Sequence, residues 1–265
     1  MRKIWQCATL AALASIVLGL GGCASNPSNV AQEELPRAEQ SDNQQRARIR
    51  LQLAVGYYEQ RQMNTALDEV RQALQLDPNF ADAYSVRGLI YMDMGESKLA
   101  EDSFLQAIRL SPNNPDFNNN YGWFLCQNGR ESQSIGYFES ALKVRSYQSP
   151  AKALNNAGTC SLKLKNNAAA EKYFSQAFQY DPGNSSTNAN LAKVYFDQGD
   201  YERARFYVGR VIKADAANAD VLWLAIKVER KLGDRTAESS LATQLRRRYP
   251  ASVEYAAYQR GAFDE

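Results

Sequence analysis

The chain of 265 residues contains no histidine. That removes the usual general base, the commonest zinc ligand and any Ser/His or Cys/His nucleophile pair. No carboxylate pair or metal-ligand cluster stands out among the scattered acids, so the expectation is a protein that is not an enzyme and uses no cofactor, metal or small-molecule substrate. An excess of one charge is also missing. Lys and Arg number 31 against 29 Asp and Glu, a formal net charge of +2, which gives no electrostatic argument for nucleic acid. Long apolar runs are lacking too, since the stretch from Ala8 to Leu20 is too short to span a bilayer comfortably. Cysteine is scarce, at four residues, and proline and glycine are spaced rather than clustered.

That spacing is what the chain has instead. From Ala81 to Pro112, Tyr84, Gly88 and Tyr91 share one helical face, Gly95 interrupts it, and Ala100, Phe104 and Ala107 repeat the pattern on a second helix. Pro78 and Pro112 lie 34 residues apart, as do Gly95 and Gly129, and Gly199 and Gly233. Pro112 to Pro182 and Gly129 to Gly199 each span 70, so two residues are inserted, expected between Ser146 and Pro150. Six units begin near Ala47, Ala81, Pro115, Ala151, Ser185 and Ala219. Leu53, Ala54 and Tyr57 are read as the packing face of the first. Gly88, Gly122 and Gly158 share the eighth position; a glycine inside a helix costs roughly 1 kcal/mol against alanine, so they mark closely approaching helices. The sixth unit is the loosest match, with Glu229 in place of an aromatic. Val253 to Phe263 is expected to form a short helix capping the stack.

A 34-residue helix-turn-helix with small residues at its eighth and twentieth positions resembles the tetratricopeptide repeat, an interaction scaffold. The resemblance implies an all-α, right-handed superhelical solenoid of six tetratricopeptide repeats over 47–250, with residues 251–265 as a C-terminal capping segment. In such an array each helix pair is stabilised by its neighbours, without a single central core.

The first residues have a different character. Arg2 and Lys3 precede the apolar run, and Gly21 and Gly22 precede Cys23, which reads as a signal peptide over 1–22. Leu20-Gly21-Gly22-Cys23 looks like a bacterial lipobox, in which the Cys23 thiol takes a diacylglycerol; an ordinary cleavage site with an incidental cysteine is the alternative. By resemblance to Gram-negative lipoproteins, Ala24 after the cysteine implies sorting to the outer membrane, with acyl chains anchoring the protein at its periplasmic face. Residues 23–46, rich in Ser, Asn, Gln, Glu and Pro, are expected to form a tether.

Two cysteines remain beyond Cys7 and Cys23. Cys126 is twelfth in its unit and Cys160 tenth, about 200° apart around helices that are neighbours in the stack. Parallel neighbours turn opposite faces toward each other, so a Cys126–Cys160 disulfide is expected in an oxidising compartment. The alternative is two buried thiols acting as small hydrophobes.

Lipobox, tether and six repeats together resemble the PilF/PilW type IV pilus biogenesis and stability lipoproteins of Gram-negative bacteria. The most specific runs are Asn119-Asn120-Tyr121-Gly122-Trp123-Phe124-Leu125-Cys126, Tyr147-Gln148-Ser149-Pro150-Ala151-Lys152-Ala153-Leu154, and Tyr195-Phe196-Asp197-Gln198-Gly199. The resemblance implies a pilotin, an adaptor that binds the pilus secretin in its concave groove and promotes the secretin's outer-membrane localisation and multimerisation. The competing reading is a general cell-envelope scaffold for peptidoglycan enzymes or outer-membrane assembly.

In tetratricopeptide arrays the concave surface is lined mostly by the first helix of each unit. Carried onto this chain, that implies a graded groove. Leu51, Val55, Tyr58, Leu89 and Met92 come first, an apolar set that is costly to leave wet. Asn119, Asn120, Trp123, Asn155, Asn156 and Asn190 follow, with amides able to pair with an extended peptide. Trp223, Lys227, Arg230 and Lys231 close it. The alternatives are that the apolar set is covered by the tether or its own neighbours, that the asparagines are solvated or cap turns, and that Trp123 is core.

Overall fold

The computed structural model describes residues 37–263. The expected signal segment, the lipobox at Cys23 and the first part of the tether lie outside them. Among the described residues are thirteen α-helices and no strand: α1 (Arg37–Glu59), α2 (Met63–Leu76), α3 (Ala81–Asp93), α4 (Ser97–Leu110), α5 (Pro115–Gln127), α6 (Glu131–Leu142), α7 (Pro150–Lys163), α8 (Asn167–Tyr180), α9 (Ser185–Asp197), α10 (Tyr201–Lys213), α11 (Ala219–Leu232), α12 (Arg235–Arg248) and α13 (Val253–Arg260). The first helix begins at Arg37, inside the segment read as tether.

These form six hairpins, α1/α2 through α11/α12, and in each the first (A) helix lies against its own second (B) helix. Every later A helix also packs on the preceding B helix and on the preceding A helix, whereas successive B helices stand further apart and meet only through long side chains, as Tyr173 of α8 does with Glu139 of α6 at 3.1 Å and Phe178 of α8 with Tyr207 of α10. A helices in contact along the whole stack with B helices splayed apart make a superhelix with the A helices on its inner side. The last helix, α13, meets α11 and α12 in the same way, taking the place of a seventh A helix.

The turn inside each hairpin is the same device repeated. Arg61, Gly95, Gly129, Lys165, Gly199 and Gly233, all fifteenth in their units, have φ between 58° and 80°. The residue that follows each donates its N–H back to the carbonyl of the eleventh residue, as Glu96 does to Tyr91 at 2.9 Å and Asp200 to Tyr195 at 2.9 Å. This left-handed cap satisfies carbonyls that the helix end would leave open.

Inside each hairpin the contact is set by the eighth residue against the twenty-fourth. A Cβ added at Gly88, Gly122 or Gly158 would stand 2.6, 2.8 or 2.5 Å from ring atoms of Phe104, Phe138 or Phe174 respectively. The other three hairpins put different pairs at these positions: Ala54 with Val70, Ala192 with Val208, and Ile226 with Ala242. All of these side chains are buried. The larger the partner on the B helix, the smaller the residue on the A helix, so the joint volume stays within a narrow range.

The inserted residues fall in the loop between α6 and α7, where Tyr147 is buried against Ala141 and Ala153. On either side of it Cys126 of α5 and Cys160 of α7 are bonded, both fully buried, with Cα atoms 5.8 Å apart. Lys163 Nζ adds a second tie between the same helices, donating to the Cys126 carbonyl at 3.1 Å.

The sixth unit replaces apolar contacts by ion pairs. Glu229, buried in α11, accepts from Arg205 Nε of α10 at 3.1 Å and from the same guanidinium's Nη2. Glu238 of α12, also buried, takes Arg230 at 2.9 Å and Arg235 at 2.8 Å. A buried carboxylate is tolerated there because an arginine neutralises it and fills its lone pairs.

Two stability experiments follow from this packing. Gly158→Ala should destabilise the chain by about 1–3 kcal/mol through overpacking, even though alanine gains roughly 1 kcal/mol in a helix. Adding Phe174→Val should recover much of the loss by reproducing the Ala192/Val208 pair. Equilibrium denaturation of the three proteins checks both; a Gly158→Ala protein as stable as its parent would mean that the Phe174 ring yields. Reducing the Cys126–Cys160 bond, which closes a sequence separation of 34, should lower stability by about 3–4 kcal/mol, seen as a drop in denaturant midpoint on adding reductant.

Candidate functional site

Three regions of the inner, A-helix side and its ends differ in what they leave open. At the N-terminal end Leu51, Val55, Tyr58, Leu89 and Met92 are half-buried. Leu51 and Tyr58 lean on the core of the first hairpin, and Leu89 and Met92 on that of the second and third. Tyr58 donates to Asp93 at 2.9 Å, and Arg61 reaches the same carboxylate at 3.0 Å. Burial, together with Asp93, pushes the Tyr58 hydroxyl up to about 12. This set is therefore partly covered by the protein's own neighbours.

The side chains most exposed there are Ile49 and Leu53, 48% and 44% accessible. Leu53 was expected to pack inward, and the structure corrects this. Third and seventh positions of later units, such as Phe117, Ala153, Tyr121, Ala157 and Leu191, are buried because they meet the preceding B helix. Among the described residues no B helix precedes α1, so there Ile49 and Leu53 form an apolar end face without a partner. The signal was available in the unit numbering, since the first unit of any stack lacks a predecessor.

The middle of the inner side is closed by hydrogen bonds between A helices. Asn120 of α5 donates to Ser85 of α3 at 3.2 Å, and Asn119 donates to Asn120 at 3.4 Å. Asn156 of α7 donates to Asn119 at 2.9 Å, and Asn155 donates to Thr187 of α9 at 2.7 Å. The result is a polar ladder from α3 to α9. Asn119 is 0% exposed, so the expectation that it lines a groove is corrected: its amide is spent on a neighbouring repeat. Asn120, Asn155 and Asn156 are half-buried and likewise engaged, although Asn155 and Asn156 border an opening of about 560 Å³ beside Tyr180 and Asn184. Trp123 is half-buried against the disulfide and Phe138. Two further asparagines, Asn118 and Asn188, clamp turns: each donates to the carbonyls of a proline and an asparagine just upstream, at 2.7–2.9 Å.

The C-terminal region opens again. Between α9 and α11 lies a cleft of about 450 Å³ bordered by Asn190, Lys193, Phe196, Asp197, Trp223 and Lys227 among others. The Lys227 ammonium stands 5.4 Å from the centre of the Phe196 ring and 5.6 Å from that of Trp223. Burial, with Lys193 nearby, holds Lys227 below the ordinary lysine value. Trp223 in turn packs against Phe263, whose ring carries the Arg230 guanidinium at 3.8 Å. Among the described residues no group of His, Cys, Asp or Glu is arranged to hold a metal ion, and no helix is long and apolar enough to cross a membrane. The arrangement offers contact surfaces with polar anchors.

Comparison with known proteins agrees with the fold. Family models of the tetratricopeptide repeat match residues 56–95, 81–114, 103–135, 122–185 and 161–226. The chain is 28% identical over 245 residues to the type IV pilus assembly protein PilF of Pseudomonas aeruginosa, covering 92% of this chain and 95% of that one. Its structure is similar to that of PilW, a widely conserved type IV pilus biogenesis factor, at 31% identity and a TM-score of 0.74 over 80% of this chain and 98% of that one. The structure of Pseudomonas aeruginosa PilF superposes with a TM-score of 0.77 at 27% identity, over 83% of this chain and 99% of that one. With near-complete coverage of these relatives and the same repeat architecture, the chain belongs to the PilF/PilW family of tetratricopeptide-repeat proteins.

Proposed function

We propose that this protein serves type IV pilus biogenesis as a pilotin: a lipoprotein held by Cys23-linked acyl chains at the periplasmic face of the outer membrane, which binds the pilus secretin and promotes its localisation and multimerisation. The observation that carries this reading is the match to PilF over 95% of that protein's length. The repeat stack supports a binding role, since it presents surfaces without catalytic machinery. The apolar N-terminal end, with Ile49 and Leu53 beside Leu51, Val55 and Tyr58, is the part of the stack nearest the proposed anchor and gains by being covered. Fully burying one such aliphatic side chain is worth about 1.5–3 kcal/mol, and these two start roughly half exposed. A partner segment laid along α1 would occupy the place of the missing preceding B helix.

The test is in cells. Deleting the gene should leave the secretin unassembled or outside the outer membrane, Cys23→Ser should release the protein from outer-membrane fractions, and Leu53→Asp should cut secretin multimers while leaving the chain folded and anchored. Fractionation and immunoblotting for multimers read all three. Secretin that multimerises normally in the outer membrane of the deletion strain would end this reading.

A further inference from the structure

Of the five asparagines read as groove residues, four are bonded to neighbouring repeats. The fifth, Asn190, is half-buried in the cleft between α9 and α11, and its amide has no hydrogen-bond partner in the chain. Of the two lysines and two aspartates that border the cleft, both carboxylates have nearer partners than Lys227. Lys193 is engaged with Asp197 at 3.4 Å. Asp220, at the cleft's far edge, is turned to α13, where a hydrogen bond with Glu254 holds its carboxyl above the ordinary aspartate range. Lys227 has Phe196 and Trp223 as its walls and no carboxylate within ion-pair distance. An ammonium partly stripped of water, fixed on aromatic faces and facing an opening is complementary to an incoming carboxylate.

We propose that the α9–α11 cleft is a second peptide site on the inner face, which takes an acidic side chain from an extended segment of a protein partner, with Lys227 as counter-charge and Asn190 pairing with the segment's backbone. The amide suits this because it donates and accepts at once, as an extended peptide does. The aromatic walls suit an apolar residue beside the acid. The site is separate from the N-terminal apolar surface, because the amide ladder of the third and fourth repeats lies between them. It rests on the inner face being a protein-binding surface and is independent of which envelope protein is the partner.

Selection of a random dodecapeptide library on the purified full chain should enrich Asp and Glu flanked by aliphatic or aromatic residues. The selected peptides should bind Lys227→Met roughly tenfold more weakly and Asn190→Ala several-fold more weakly, while Lys227→Arg keeps most of the affinity. Leu53→Asp should leave it unchanged, and raised ionic strength should weaken it. Unaltered denaturation midpoints for the variants separate a lost contact from a lost fold. Enrichment without acidic residues, no enrichment at all, equal binding to Lys227→Met, or loss of binding in Leu53→Asp would overturn the proposal. Normal secretin assembly in the deletion strain would sink the pilotin reading and leave the peptide result standing.

Discussion

The whole stack depends on how closely two helices approach inside one hairpin. Where Gly88, Gly122 and Gly158 lie under the rings of Phe104, Phe138 and Phe174, there is no room for a methyl group. Interiors packed to crystal-like density transmit such a constraint instead of absorbing it. The spacing within a hairpin therefore sets where its outer surfaces fall, and those surfaces are what the next hairpin packs on. Because each unit solves the same volume problem, with Gly/Phe, Ala/Val or Ile/Ala, six hairpins of differing sequence stack with the same A-to-A contact. The helices themselves are short, 12 to 14 residues from α2 to α12, a length at which an isolated helix in water is marginal. They persist because each is packed against at least two others.

This explains which features were legible in the amino-acid sequence. The small residue at position eight and the turn glycine are properties of one hairpin, and their return along the chain gives the period. The pairing of Cys126 with Cys160 could also be approached, because it needs only the helical angle between two residues. What escaped was whatever depends on the distance between units. An asparagine on the inner face looks the same in sequence whether it meets water or another asparagine. Only the curvature that brings α5 and α7 together shows Asn119 spent on Asn156. Leu53 misled for a related reason, since its position is apolar in every unit but the second, where it is Arg87, and only later units have something to bury it. Glu229 read as a defect and is instead a buried carboxylate matched by Arg205 from the preceding hairpin.

The same distinction divides the molecule into a middle whose inner amides are paired and ends whose side chains are not. In the third and fourth repeats the inner side is occupied by the amide ladder, the disulfide and the Lys163 tie, all internal. At the first repeat Ile49 and Leu53 of α1 meet no preceding helix among the described residues, and at the fifth and sixth a lysine and an amide face an open cleft. A surface whose polar groups are already paired gains little by binding, since each new hydrogen bond must first break an old one. New contacts therefore gain most at the ends.

The cross-link acquires a sense in that light. It joins the two units between which the period is broken, yet the insertion needs little repair on energetic grounds, since even doubling a flexible loop costs only about 0.6 kcal/mol. What a covalent bond between α5 and α7 adds is a fixed relation, with Cα atoms 5.8 Å apart, at the junction whose connecting loop is the longest among the described residues. A scaffold that engages a partner at both ends gains affinity through effective concentration, and that gain is largest when the span between the sites is held constant. Splaying at the central junction would move the α1 face relative to the α9–α11 cleft by more than splaying near either terminus, because half the stack would swing as a lever. Placing the longest loop and the bond at the same junction keeps the lever from opening, so the stability that the cross-link adds is also rigidity at the point where bending would change the separation of the ends most.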